Sequence, residues 1–391
     1  MNSIAGSITA PGHAFSASRR VSWTVWTCLA ASLSIAIGLY WDISWHETIG
    51  RDTFWTPAHL LIHFGGILTA AVCAFTIFGA TLQPNSTLRQ VSVNVLGFRG
   101  PLGAFVAAWG GMAMVTSAPF DNWWHDAYGL DVKILSPPHI ILAIGIGGIV
   151  WGGILLAISE MNRASAESRP ALQRVVLVLA GMAVLQGMIL RLENTNKIFL
   201  HSSNAYLSMG IGVLLIIESL ARATGHRWAR TIMTGAYSLF VLLMMWILPL
   251  FPASPKLGPV YHPIDHMVPL PFPLLLIVPA FVLDLAWPLM ANWKRWQQSM
   301  VGGFAFMAIL IAVQWPMATF LMSPAARNWF FAPANYPFFA PPSSAAVRYV
   351  FLNLERSPSE FWINIALAFV FSAFSMWVGT VFGEWLKKLK R

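Results

Sequence analysis

Residues 59–79 read HLLIHFGGILTAAVCAFTIFG, an unbroken run from His59 to Gly79 without an Asp, Glu, Lys or Arg. As a helix it rises about 30 Å, the thickness of a bilayer's hydrocarbon core, so its natural solvent is lipid. Comparable apolar stretches lie at 24–41, 102–118, 139–158, 171–190, 203–220, 231–250, 271–289, 301–320 and 362–383. Ten spans follow. Composition agrees, because 57% hydrophobic and 10% charged residues with a mean hydropathy of +0.64 fit neither a soluble domain nor a disordered chain. The expected fold is an all-α, polytopic transmembrane helical bundle.

The net charge of +9 is a topology signal and gives no reason to expect nucleic acid. With a cytoplasmic N-terminus, sixteen of the 24 Lys and Arg residues fall on the inner face and eight on the outer, and both termini are then cytoplasmic. Cys28 and Cys73 sit inside predicted spans, where they read as small buried hydrophobes. The outer connections are 42–58, 119–138, 191–202, 251–270 and 321–361, and eight of the ten His lie in or beside them. One face therefore holds the chemistry. The chain divides into a metal-binding helical region at 1–200 and additional transmembrane helices at 201–391, whose long outer loop at 321–361 reads as an ordered cap, a partner surface or a tether at headgroup level. Prolines crowd 251–275 and deny it a continuous helix.

One polar constellation occurs twice in this background. Asp42-Ile43-Ser44-Trp45-His46 is followed by Pro57-Ala58-His59, and Asp121-Asn122-Trp123-Trp124-His125 by Pro137-Pro138-His139. In each copy Asp and His are four apart, Trp precedes the His, and Gly and Asp follow four and six residues beyond it (Gly50 and Asp52, Gly129 and Asp131). On a helix, a spacing of four puts carboxylate and imidazole on one face. A chain reversal brings up the closing His. Carboxylate oxygen with imidazole nitrogen and no thiolate suits copper, zinc or non-heme iron. His63, one turn after His59, is a further ligand or a hydrogen-bond partner of one. A single His near a membrane surface usually bonds to backbone or headgroups; recurrence of the whole set favours metal.

The run from Asp42 to His59 resembles the metal-binding segment of the C subunit of the copper-dependent membrane monooxygenases, the family of particulate methane and ammonia monooxygenases. The family's Asp, His and second His match Asp42, His46 and His59, with Arg51-Asp52-Thr53 and Thr56-Pro57 falling into place between them. A later family helix supplies an Asn and, four residues on, a His, which complete a neighbouring copper site with the shared closing His. The matching positions here are Asp121 and His125, with Pro137-x-His139 similar to a downstream family motif. Asp121 departs from the family's Asn and adds a negative charge. The resemblance covers the first 150–200 residues.

It implies copper, with Asp42, His46, His59 and His125 as catalytic residues and Asp42, His46, His59, Asp121, His125 and His139 as metal ligands. It also implies partners similar to the family's A and B subunits, O2 and a small apolar substrate, and a bacterial inner or intracytoplasmic membrane with the metal sites toward the periplasmic face. Copper transport, delivery or sensing without oxidase chemistry stays open as the alternative. A purely structural duplication is a third class. Two features lie outside the resemblance: His262, Asp265 and His266 cluster on an outer loop, and Asp284 sits in the eighth span, where facing the bundle interior is far cheaper than facing lipid.

Overall fold

The computed structural model of the chain describes residues 21–50, 54–129, 136–195, 200–256, 264–331 and 355–391. Nine helical segments among them are long and apolar enough to cross a membrane. They are α1 (Trp23–Thr48), α2 (Pro57–Leu82), α4 (Leu102–Tyr128), α5 (Pro137–Arg163), α6 (Arg169–Ile189), the pair α8 (Ser203–Gly210) and α9 (Val213–Thr224), α10 (Ala229–Ile247) with its extension to Leu250, α12 (Arg295–Leu321) and α13 (Pro358–Leu386). Single turns α3 (Thr87–Gln90) and α7 (Leu192–Thr195), and a hairpin of β1 (Val93–Val95) with antiparallel β2 (Phe98–Gly100), connect them. The all-α polytopic bundle is as expected.

The eighth predicted span, 271–289, is different. Its helix, α11, covers only Ile277–Met290, 14 residues or about 21 Å. Pro269, Pro271 and Pro273 stand at alternate positions, where each lacks an N–H and blocks the preceding turn, so the chain reaches α11 without helix. Met267, Val268, Leu270, Leu274 and Leu276 on this segment are nonetheless buried. Irregular backbone at such depth persists only where protein groups satisfy it. Here they come from three helices: Val268 N–H donates to Thr48 Oγ1 at 2.8 Å, Ser44 Oγ donates to Val268 O at 2.6 Å, Leu274 N–H donates to Tyr237 Oη at 3.2 Å, and Leu275 N–H donates to Gln314 Oε1 at 2.9 Å.

The predicted span 203–220 is also interrupted. Gly212 adopts φ 85°, a left-handed conformation cheap for glycine, and separates α8 from α9. Ser375 Oγ accepts from Gly212 N–H and donates to Gly210 O, both at 2.9 Å, while the Arg191 guanidinium donates to the carbonyls of Ser208, Ile211 and Gly187. The break is thus held by Ser375 of α13 and by Arg191 after α6.

The duplicated sequence units fold as duplicated hairpins. α1 and α4 each end at a glycine with positive φ, 91° at Gly50 and 85° at Gly129. α2 and α5 each start on proline, at Pro57 and Pro137, which fills a first-turn position that needs no donor, and each carries its His as third residue. Small residues then set how closely α4 and α5 approach: a Cβ on Gly110 would lie 2.6 Å from Gly145 O and 2.7 Å from Ile149 N. The main hydrophobic core takes in Val25 of α1, Tyr206 of α8 and Phe306 of α12, and a second cluster of Ile35, Ile62, Met114, Ile146 and Ile149 lies among the duplicated hairpins.

Candidate metal centre

Each hairpin converges three polar side chains. Asp42 and His46 lie one turn apart near the end of α1, and the reversal into α2 brings up His59. Asp42 Oδ1 is 3.4 Å from His46 Nε2 and 3.1 Å from His59 Nε2. Asp121 Oδ1 is likewise 3.5 Å from His125 Nε2 and 3.3 Å from His139 Nε2. Within each triad the ligand atoms all lie within 4.8 Å of one another. His139 therefore closes the second triad, and His59 belongs with Asp42 and His46, in place of the shared closing His expected from the sequence. The reason is local: each closing His is the third residue of the helix that completes its own hairpin.

The donor atoms fit a metal. Two ligands about 2.1 Å from one ion and a tetrahedral angle apart stand about 3.4 Å from each other, and the four edges above span 3.1–3.5 Å. Hydrogen bonding argues the same way. His59 Nδ1 is 2.7 Å from Phe54 O and His125 Nδ1 is 3.2 Å from Gly129 O. A carbonyl only accepts, so Nδ1 carries the proton and a neutral ring turns the Nε2 lone pair toward the carboxylate. Lone pair against carboxylate oxygen is repulsive unless a cation lies between. A second ring proton would relieve the repulsion as an ion pair, and a metal ion would relieve it too, while giving the buried Oδ1 atoms of Asp42 and Asp121, which lack a well-directed hydrogen bond, a partner. Orphaned buried polar atoms are costly. Two carboxylate-imidazole-imidazole clusters that can each coordinate a metal ion account for them.

Both triads open onto one cavity of about 450 Å³, lined by Asp42, His46, His59, Asp121 and His139. Most of the remaining wall is apolar, with Leu39, Ile62, Leu142 and Ile146. His63 also lines it, packing its ring 5.6 Å from that of Phe54, and it belongs to neither triad. Of the aromatic residues near the sites, Phe54 reaches the cavity, while Trp55 and Trp123 are exposed.

The first triad is braced from behind. Ser44 and Thr48, the two hydroxyls that hold Val268, are fully buried on the face of α1 away from Asp42 and His46. Lys256 N–H adds a bond to Ile49 O at 3.0 Å. Thr48→Val keeps the shape and removes the acceptor for buried Val268 N–H, an expected loss of about 1–3 kcal/mol. Thermal unfolding is expected to report that loss, and metal affinity is expected to fall at the first triad while the second is unchanged. Equal weakening of both triads would show that the brace is not local.

The other polar candidates resolve differently. Asp52, Asp131 and His262 lie outside the described residues. Asp265 is exposed and pairs with the adjacent His266, which holds its carboxyl below the usual range, and the described residues bring no third ligand to them. Asp284 faces inward: its Oδ1 meets Arg230 at 3.0 Å and its Oδ2 accepts from Thr231 N–H and Oγ1, both at 2.8 Å. Arg230 also binds Glu218 at 2.7 Å. The sequence reading missed Glu218, although an acid inside an apolar helix was a usable signal. It also missed Gln186 on the cavity wall, for which no local pattern exists.

No protein-family model, curated protein or solved structure matches the chain.

Proposed function

We propose that this chain is a copper-binding integral membrane subunit of a monooxygenase-like complex that hydroxylates a small apolar substrate with O2. The observation that carries the reading is the pair of Asp/His/His triads opening onto one largely apolar cavity. Asp42, His46 and His59 would hold one ion, and Asp121, His125 and His139 a second. Three protein ligands leave a coordination position open, and copper held so supplies O2 activation when electrons are delivered. The oxygen and nitrogen donor set, without thiolate, suits copper, which stands highest in the divalent affinity order.

The chain's own residues then have defined tasks. The carbonyls of Phe54 and Gly129 fix the ring orientation and tautomer of His59 and His125. The apolar wall holds substrate and keeps water out. Asp121, where the resembling family has Asn, gives both triads one negative ligand each and therefore matched charge. Partners similar to the family's A and B subunits would complete the complex, and the triads would face the periplasm in a bacterial inner or intracytoplasmic membrane.

Native membranes containing the chain are expected to incorporate one atom of 18O2 into at least one of a panel of short alkanes and simple aromatics. The incorporation is expected to vanish in the His59→Ala/His139→Ala variant. Copper accumulation in sealed vesicles without oxygen incorporation would replace this reading with transport.

A further inference from the structure

The four helices of the duplicated hairpins supply both triads, but the cavity has a fifth wall that the duplication does not provide. It comes from the end of α6 and the turn after it, with Gln186, Ile189, Leu190 and Leu192. Among these apolar groups Gln186 is the exception. On α6 the residues from Leu179 to Leu185 and from Gly187 to Ile189 are buried, whereas Gln186 stays partly accessible and lines the cavity.

Its orientation is determined. A side-chain amide nitrogen of Gln186 lies 3.1 Å from Ala143 O. A carbonyl only accepts, so the NH2 group points at Ala143 and the amide oxygen is the group left for the cavity. Among the described residues no hydrogen-bond donor reaches Gln186 Oε1. A polar acceptor on an otherwise apolar wall, with its other end anchored, is the arrangement by which small-molecule sites fix orientation, and it stands apart from Glu47, His63 and Ser117 on the hairpin side of the cavity.

The volume adds a size. About 450 Å³ is some fifteen times the share of one water in the liquid, roughly 30 Å³, and falls in the range of about 300–1,000 Å³ typical of small-molecule sites. A molecule of one or two heavy atoms would leave most of that space unfilled.

We propose that Gln186 is a specificity-determining residue, and that the cavity takes a compact lipid-soluble alcohol of on the order of ten heavy atoms, its hydroxyl donating to Gln186 Oε1 while its apolar body packs between α6 and the triads. This assignment rests on the functional reading above for the role of the cavity, and it names the class of ligand.

The test uses the full chain, copper-loaded in lipid nanodiscs, with 4-fluorobenzyl alcohol and 4-fluorotoluene as probes followed by 19F NMR and corrected against empty nanodiscs. Both are expected to show protein-dependent broadening, with the alcohol bound about fivefold more tightly, the worth of one net hydrogen bond. Gln186→Leu is expected to bring the alcohol down to the fluorotoluene level without changing fluorotoluene, and Ala143→Phe, which takes up part of the cavity beside Gln186, to weaken both probes. Gln186→Met is the second variant, so that the comparison is read in whichever protein retains fluorotoluene binding. Absence of protein-dependent broadening in the unaltered chain, or an alcohol preference that survives both Gln186 variants, overturns the proposal. Metal content measured in the same samples separates the two readings: two ions per chain without probe binding sinks this inference alone, and probe discrimination without metal sinks the metal reading alone.

Discussion

Replacing His59 with alanine is expected to lower bound metal from two ions per chain to one, and replacing His139 is expected to do the same. The double replacement should leave none. The expectation follows from the separation of the triads, in which each closing His pairs with the carboxylate of its own hairpin, Asp42 for His59 and Asp121 for His139. Losing one of three protein ligands removes an imidazole and leaves a carboxylate and one imidazole, too few to hold a divalent ion against a chelator. Had His59 been shared between sites, its loss would empty both. Metal counting after dialysis against a mild chelator, combined with X-ray absorption to count nitrogen and oxygen neighbours, distinguishes the schemes. Retention of two ions in the double variant would end the assignment of these residues as ligands. Because both triads present one carboxylate and two imidazoles, the ion remaining in either single variant is expected to give closely similar absorption edges.

The membrane class and the two Asp/His/His clusters were legible because each rests on local pattern. Span length is a property of consecutive residues, and Asp-x-x-x-His with a following Pro-x-His fixes a helix face, a reversal and a helix start. Which His completes which site was less legible, since it depends on how the hairpins pack. Resemblance suggested that one imidazole serves both sites, while the fold gives each hairpin its own. The shortened α11 was readable in part from Pro269, Pro271 and Pro273, but the partners that let extended backbone run through the interior, Ser44, Thr48, Tyr237 and Gln314, lie 37 to 224 positions away in sequence. No periodicity announces such pairs. The same holds for Gln186, an ordinary amide in an apolar helix until α5 and the hairpins surround it.

The largest expected stability effect lies toward the end of the bundle opposite the triads. Glu218 is fully buried, and its carboxylate meets Arg222 Nε at 2.7 Å through one oxygen and Arg230 through the other. Arg230 passes on to Asp284, and both guanidiniums lie over the Trp287 ring, 4.5 Å and 3.9 Å from its centroid. Two acids and two arginines make the group neutral as a whole. Such a set is a weak source of stability when complete, because desolvation offsets attraction, but removing one member strands a charge. Glu218→Leu is therefore expected to cost about 3–5 kcal/mol, read as a lower thermal midpoint in mild detergent. Glu218→Leu combined with Arg222→Leu leaves Arg230 paired with Asp284 and restores neutrality, so the double variant is expected to be more stable than the sum of the single losses by at least about 1 kcal/mol. Strict additivity would show that the charges do not act as one unit. A proton or ion path through Asp284 predicts something else, since replacing a conducting acid changes transport at unchanged stability. With both Asp284 oxygens already bonded to Arg230 and Thr231, the stability loss is the expected outcome, and metal content at the two triads should survive in whatever protein remains folded.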